Sequence, residues 1–555
     1  WLCLLAFTCK VIMDRFDVVI VGAGFAGMYG LHKFRSQGLN VKVFEAGSDV
    51  GGTWYWNRYP GARCDVPSIE YSFGFSEELE QEWDWPEVFS AQPEILRYAG
   101  HVAERFDLRK DIQFNSRVTE VLFNENSGDW RVSVGESYRC QAKYCVMATG
   151  CLSVPNTPEI EGVDQFKGQV LHTGRWPKKE VDLSGKRVGV IGTGSSGVQA
   201  IPELAKMSGH LYVYQRSAVY TVPANRKAMR EEVQQEFRKN YREIRRLQQH
   251  NFGGVSNFRL TDSVRRSKLD KKDSPIPSKI LGLSEEATKQ LIAEQGLGVL
   301  LSFADVYSDM EANEVANRLF REEISQIVDD QDVAAGLLPN DYGLGCKRQV
   351  LDRDYYETFN RSDVTLVNLR ETPLDRITPS GIKTSDSEQE LDVLIYATGF
   401  DAMTGALLKS NVVGKNGISL KDKWKFGPAA YLGLQVSGFP NLFMVTGPGS
   451  PSVLCNMLVA IEQHINWISD CISHMEGNAL TRIEPTEQAE EEWVAHVNQV
   501  AEGTMYTAPS CNSWYLGANI PGKPRIFMPY VGGYPQYKAR CDEIVANDYE
   551  GFSIV

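Results

Sequence analysis

The sequence predicts an α/β chain with two Rossmann-like dinucleotide-binding domains and a helical insertion. Two units that each read strand, glycine loop, helix, strand predict the domains, one opening at residue 16 and one at residue 187. A charged stretch with helical periodicity, residues 226–334, predicts the insertion.

Residues 16–21, Phe-Asp-Val-Val-Ile-Val, read as a short β-branched strand buried in a parallel sheet. Gly22-Ala23-Gly24-Phe25-Ala26-Gly27 follows, then a helix through Arg35, then a strand Val41–Phe44 that ends at Glu45. A pyrophosphate is anionic and sits well at a helix N-terminus, where free N–H groups and the helix dipole meet it. Gly22 permits the tight turn, Gly24 lets the backbone approach the phosphate, and Gly27 lets the helix pack close to the strand. Glu45 stands where a carboxylate accepts hydrogen bonds from a ribose. A glycine triplet alone is weak, but strand, loop, helix, strand and acid fall here in order. The early position and the Glu acceptor suit FAD.

The second unit has its strand at Arg187–Ile191, its turn at Gly192-Thr193-Gly194-Ser195-Ser196-Gly197, its helix at Val198–Met207 and its next strand at His210–Tyr214. That strand ends in Gln215-Arg216-Ser217, with no acid for a free 2′-hydroxyl. The planar guanidinium of Arg216 pairs well with a 2′-phosphate, which predicts NADPH over NADH.

Within the insertion, Val233, Phe237, Ile244 and Leu247 recur at helical spacing, and a loop with Lys271, Lys272, Pro275 and Pro277 interrupts it. Its charges read as a solvated helix face. Strand-like segments return at Val364–Val367, Leu391–Ala397 and Asn441–Val445, and a helix at Val459–Met475. The resulting division is 1–12 as an N-terminal extension, 13–150 as the first part of the FAD domain, and 151–225 as a linker with the first part of the NADPH domain. The insertion follows at 226–334, then the second part of the NADPH domain at 335–395, and the second part of the FAD domain with a C-terminal segment at 396–555.

The 555 residues are too many for one hydrophobic core, in keeping with several domains. A net charge of -13 gives nucleic-acid binding no electrostatic support. No apolar run reaches the roughly 18–20 residues that cross a bilayer. Trp1–Phe7 is apolar but lacks signal-peptide features, so Met13 reads as the natural start, with a short anchor as the alternative. The tail Ser553-Ile554-Val555 is no targeting address, and the expected location is cytoplasmic. The 11 cysteines form no C-x-x-C pair and no zinc-type quartet, and read as scattered reduced thiols with no metal site.

Disulfide reductases carry electrons from flavin through paired cysteines, and this chain lacks that pair, which leaves oxygen as the acceptor. Phe166 to Pro177 reads F-x-G-x-x-x-H-x-x-x-W-P. It resembles in full the fingerprint of type I Baeyer–Villiger monooxygenases; N- and S-oxidising flavin monooxygenases resemble it without Trp176-Pro177. Gly51-Gly52-Thr53-Trp54 through Gly61, with Arg63-Cys64-Asp65, resembles the family's flavin-side loop. Ala148-Thr149-Gly150 and Ala397-Thr398-Gly399-Phe400-Asp401 resemble the turns where the chain crosses between domains. Gly345-Cys346-Lys347-Arg348 resembles the loop with the active-site arginine. Thr446–Ser452, with Val453 to Met457 after it, is most similar to the substrate loop of the phenylacetone monooxygenase branch. Asn512-Ser513-Trp514-Tyr515 resembles a segment that touches the nicotinamide cofactor.

The resemblance implies an FAD- and NADPH-dependent enzyme that turns a small ketone and O2 into an ester or lactone through a flavin C4a-peroxide, with sulfoxidation as a side activity. Arg348 is then the cation beside the reacting oxygens and Asp65 its partner. Gly52, Thr53 and Trp54 join the FAD site. Ser195, Ser196, Arg216, Ser217, Lys347 and Trp514 join the NADPH site, and Ser452, Val453 and Leu454 the substrate wall. His172 is either structural or part of a coupling linker, and is assigned no acid or base role. An N- or S-oxygenating enzyme, and an NADPH oxidase without organic substrate, are the competing readings.

Overall fold

The computed structural model describes residues 13–224, 228–256 and 278–555. The N-terminal extension and the Lys271–Pro277 loop lie outside the described residues.

The first strand, Asp14–Val21, buries Val18 to Val21 and so becomes central rather than an edge. It pairs in parallel with Val41–Phe44 on one side and Tyr138–Met147 on the other, and Ile112–Gln113 extends the sheet beyond Val41–Phe44. Tyr138–Met147 divides its second edge. Its first half pairs antiparallel with Asp129–Val134, and its end pairs in parallel with Leu442–Met444. Asp129–Val134 in turn pairs with Val118–Asn124, which pairs with Asn411–Val413. Residues early and late in the chain thus build one sheet. The helix Phe25–Ser36 lies against Met457–Gly477, and the Tyr29 hydroxyl donates to Asn466 Oδ1 at 2.8 Å.

The second sheet is parallel throughout, in the order Val364–Asn368, His210–Gln215, Arg187–Ile191, Val393–Tyr396, Gln169–His172. Its helix Ser195–Met207 starts as Phe25–Ser36 does. Gly22 and Gly192 take φ of +105° and +108°, a region that a side chain disfavours. Gly24 and Gly194 then cap the two helices at φ/ψ of -71°/-171° and -74°/-169°. A Cβ on Gly27 would lie 1.8 Å from the Gly22 carbonyl oxygen, and one on Gly197 2.3 Å from that of Gly192. The two loops therefore repeat one geometry, with the third glycine set by helix-to-strand contact.

The insertion contributes the helices Glu231–His250, Glu285–Gln295, Met310–Ile327 and Gln331–Leu337. Val233 and Ile244 are buried and Phe237 and Leu247 half-buried, as their spacing predicts. Its charges are not all a solvated face. Arg245 is half-buried, pairs with Glu80 at 2.6 Å and donates to Ser72 Oγ at 2.9 Å, which fastens this helix to the first part of the chain. Ala312, Ala316, Leu319 and Phe320 join the core that holds the second sheet. No helix among the described residues is long and apolar enough to cross a membrane.

Candidate active site

In a parallel α/β sheet the strand ends and following loops form the crevice where ligands bind. Here the ends of both sheets open into a single cavity of about 1380 Å³. The first sheet and its loops supply Gly22, Gly24, Glu45, Gly52, Thr53 and Trp54 to the wall. The second supplies Gly192, Gly194, Ser195, Ser196, Arg216 and Ser217. Lys347, Arg348, Asp65, Val453 and Trp514 complete it.

Both glycine-loop helices begin without a side-chain cap, so their first N–H groups are left for an anion. A Cβ on Gly194 would meet nothing within 4 Å, so a phosphate has room against that backbone. These features fit a dinucleotide at each loop. Glu45 is buried, and its two carboxylate oxygens accept from the N–H groups of Ala23 at 2.7 Å and Gly47 at 2.6 Å. It braces the first glycine loop, and the second lone pair of each oxygen is left for a ribose hydroxyl.

Arg216, Ser217 and Lys347 line one corner of the cavity. Thr193 Oγ1 donates to the Ser217 carbonyl at 2.9 Å, which ties the second glycine loop to the end of the next strand. The Lys347 ammonium lies 3.7 Å from the centre of the Tyr342 ring. Burial, with Arg216 and Arg370 nearby, brings its pKa down to about 8, against the pull of Asp341.

Arg348 and Asp65 meet as the resemblance implies, with Nε 3.5 Å from Oδ2. The Arg348 side chain is 33% exposed, so the guanidinium faces the cavity while held from behind. Nη1 donates to the Val453 carbonyl at 3.1 Å, and the buried Tyr515 hydroxyl also bonds to the guanidinium. Burial works most strongly against the charge of Arg348, but Asp65, Tyr515 and Cys64 together outweigh it and raise the pKa further. Burial likewise pushes the Asp65 carboxyl up, while Arg348, the Leu351 N–H and Gln199 pull it back.

Gln199 was not foreseen from the sequence. It lies on the second glycine-loop helix, and its amide donates to the Arg63 carbonyl at 3.0 Å and to Asp65 at 3.5 Å. Its own oxygen accepts from the Tyr59 hydroxyl at 2.8 Å. One side chain of the second unit thus fixes the flavin-side loop that carries Asp65. Tyr515 was also missed, although its segment was singled out.

Three expectations change. Ser452 is fully buried and turned away from the cavity, its hydroxyl donating to the Thr446 carbonyl at 3.1 Å, and Leu454 is not on the wall; Val453 is. Gly27 and Gly197 are off the wall too, but in the packing role expected of them. The cysteines are not all thiols: Cys346 and Cys511 form a disulfide, with Cα atoms 5.7 Å apart, an ordinary separation for one. It staples the Lys347-Arg348 loop to the Asn512–Tyr515 segment. The pair is separated by 165 residues and leaves no spacing signature to read. The other described cysteines are free and buried.

The C-terminal segment has further anchors near the second crossover turn. Lys523 pairs with Asp401 at 2.6 Å, and Asn519 donates to the Phe400 carbonyl at 2.8 Å. The Trp514 ring, packed on Tyr515 at 4.4 Å between centroids, is thereby held on the cavity wall. His172 ties backbone segments together through both ring nitrogens. Its Nδ1 accepts from the Gly174 N–H at 2.9 Å, and Nε2 lies 3.2 Å from the Asn156 carbonyl oxygen and 3.5 Å from Thr398 Oγ1. Burial lowers its pKa, so the neutral ring, protonated at Nε2, bridges the two crossover segments.

Among known proteins, residues 15–228 match the flavin-binding monooxygenase-like family. A phenazine N-monooxygenase of Lysobacter antibioticus is 39% identical over 97% of both chains. A Baeyer–Villiger monooxygenase of Pseudooceanicola batsensis is 39% identical over 97% of this chain and 96% of its own. The cyclohexanone 1,2-monooxygenase of an Acinetobacter species is 38% identical over the same shares. Of solved structures, oxidised steroid monooxygenase bound to NADP superposes with a TM-score of 0.89 at 45% identity, covering 98% of this chain and 100% of that one. The OTEMO complex with FAD and NADP gives 0.90 at 38% identity, covering 97% and 99%. With this likeness over the full length, the chain belongs to the flavin-binding monooxygenases, as an FAD- and NADPH-dependent enzyme of the type I Baeyer–Villiger group.

Proposed function

We propose that the chain converts a small ketone, O2, NADPH and a proton into an ester or lactone, NADP+ and water, with sulfide oxidation as a side activity. The observation that carries this reading is Arg348, a cation on the cavity wall clamped by Asp65, Val453 and Tyr515. FAD would be held by Gly22, Gly24, Glu45, Gly52, Thr53 and Trp54. NADPH would be held by Gly192, Gly194, Ser195, Ser196, Arg216, Ser217, Lys347 and Trp514. Bound FAD, once reduced by NADPH, supplies the activation of O2. Arg348 stabilises the negative charge that develops on the former carbonyl oxygen, and as a permanent cation it is no base. Asp65 is a positioning residue that holds the guanidinium in place. Val453 presents its side chain to the substrate, with Ser452 and Leu454 supporting it from behind. The FAD domain then comprises 13–150 and 396–555, and the NADPH domain 151–225 and 335–395, with 226–334 as the helical insertion.

The phenazine N-monooxygenase relative favours a second reading, oxygenation of an aromatic nitrogen. The two are separated by supplying the FAD-loaded enzyme with NADPH and, in turn, aryl, linear and cyclic ketones, phenazines, amines and sulfides. Ester or lactone products support the proposal; N-oxides without any ester transfer the assignment to the second reading.

Asp65→Asn keeps the side-chain shape but removes the charge that holds Arg348. We expect about tenfold slower ester formation, about 1.4 kcal/mol, with FAD content unchanged. Unaltered turnover would show that Val453 and Tyr515 suffice to place the guanidinium.

Lys347 gives a pH signature. It faces Arg216, Arg370, Asp341 and Tyr342, and in the free enzyme it loses its proton as pH rises through about 8. A 2′-phosphate binds the charged form, so NADPH affinity is expected to fall from pH 7 to pH 9 while NADH affinity stays level. Rapid-mixing titrations at each pH check this, and Lys347→Met is expected to flatten the NADPH curve.

A further inference from the structure

Beyond the strand Val364–Asn368, the chain turns back over the corner that holds Arg216, Ser217 and Lys347. The Leu369 N–H donates to the Gln215 carbonyl at 2.8 Å, and Leu369 itself lines the cavity. The next residue, Arg370, donates from Nη2 to Ser217 Oγ at 3.3 Å and pairs with Asp341. Its own N–H is held by Asn368 Oδ1 at 3.2 Å, and its side chain is 50% exposed. Nε and Nη1 have no other partner among the described residues. Arg216 and Arg370 thus gather around Lys347 with Asp341 as counter-charge, a local excess of positive charge in a chain whose net charge is -13.

We propose that Arg370 is a third cation of the 2′-phosphate site and a determinant of the choice of NADPH over NADH. The inference rests on the assignment of Arg216, Ser217 and Lys347 to that phosphate. Three cations less one carboxylate leave a charge near +2, which a phosphate monoester of charge about -1.5 to -2 neutralises. The guanidinium fork is already oriented by Asp341 and Ser217, so its remaining hydrogens meet phosphate oxygens with little rotamer freedom left to lose. Arg370 lies 153 residues after Ser217, so the glycine-loop fingerprint gives no sign of it.

The test is steady-state kinetics of the full-length, FAD-loaded enzyme with NADPH and with NADH. Arg370→Ala is expected to raise KM for NADPH about tenfold, to leave kcat within about twofold and to leave KM for NADH unchanged. Arg370→Lys is expected to recover part of the loss. A parallel rise of KM for both cofactors would mean that Arg370 merely holds the loop, and no rise would mean that it stays in solvent; either overturns the proposal. Asp341→Asn controls for the carboxylate that Arg370 neutralises. In that background Arg370→Ala must still weaken NADPH about tenfold, and loss of the effect overturns the proposal as well. Arg216→Ala separates the two levels of inference. If it also leaves the preference intact, the phosphate site itself is misassigned; if it lowers the preference and Arg370→Ala does not, the Arg370 assignment alone fails.

Discussion

Arg348→Ala is expected to lower ester or lactone formation by about three orders of magnitude, about 4 kcal/mol, while NADPH still reduces the flavin. The loss is large because the contacts of Arg348 hold a permanent charge at this point of the cavity wall. Its Nε faces Asp65, its Nη1 holds Val453 and its remaining surface is turned to the cavity. NADPH consumption then ends in hydrogen peroxide instead of product. Arg348→Lys keeps the charge but loses the fork, because one ammonium cannot serve Asp65, Val453 and Tyr515 with the same planar geometry. It is expected to recover little activity. Product mass and peroxide release, measured beside the rate of flavin reduction, check both variants. Ester formation within about tenfold of wild type in Arg348→Ala would falsify the role assigned to Arg348.

The second large effect concerns the third glycine of each loop. In Gly27→Val the new Cβ would lie 1.8 Å from the Gly22 carbonyl oxygen, so helix and strand must part. The uncapped helix N-terminus then moves off the phosphate position. We expect purified protein with less than about a tenth of its flavin and a lowered Tm, since bound FAD stabilises the fold. In Gly197→Val the clash is with the Gly192 carbonyl, 2.3 Å away, in the second unit. That variant is expected to keep FAD, to accept electrons from dithionite and to lose reduction by NADPH. Flavin absorbance per chain and the two reduction rates check this. A Gly197→Val enzyme that purifies without FAD, beside a Gly27→Val enzyme that keeps FAD but is no longer reduced by NADPH, would reverse the assignment of the loops.

The two glycine loops were legible because each is a local unit: strand, turn and helix are adjacent in sequence, and the glycine positions follow from that contact alone. Glu45 was legible as an acceptor for the same reason. Its second task, bracing the N–H groups of Ala23 and Gly47, needed the folded loop to be seen. The strands Asp129–Val134 and Leu442–Met444 share the partner Tyr138–Met147, and sequence periodicity does not say which distant strands pair. The pair Arg348 and Asp65 came from resemblance, since 283 residues separate them. Gln199, Tyr515 and the Cys346–Cys511 disulfide were hidden for the same physical reason: each acts across the fold on a partner remote in sequence. Ser452 was misplaced because the loop takes a positive φ there, which turns its side chain inward to Thr446. Arg245 departs from the solvated helix face because it pairs with Glu80, 165 residues earlier in the chain.

The most direct test of the whole account follows the oxygen atom. The FAD-loaded enzyme is supplied with NADPH, a cyclic or aryl ketone that it turns over, and O2 labelled with oxygen-18, and the products are read by mass. The account predicts an ester or lactone that carries one labelled oxygen, formed by wild type and lost in Arg348→Ala. Unchanged ketones throughout the panel, with the label recovered in hydrogen peroxide or in N-oxides of added heteroaromatics, would contradict it.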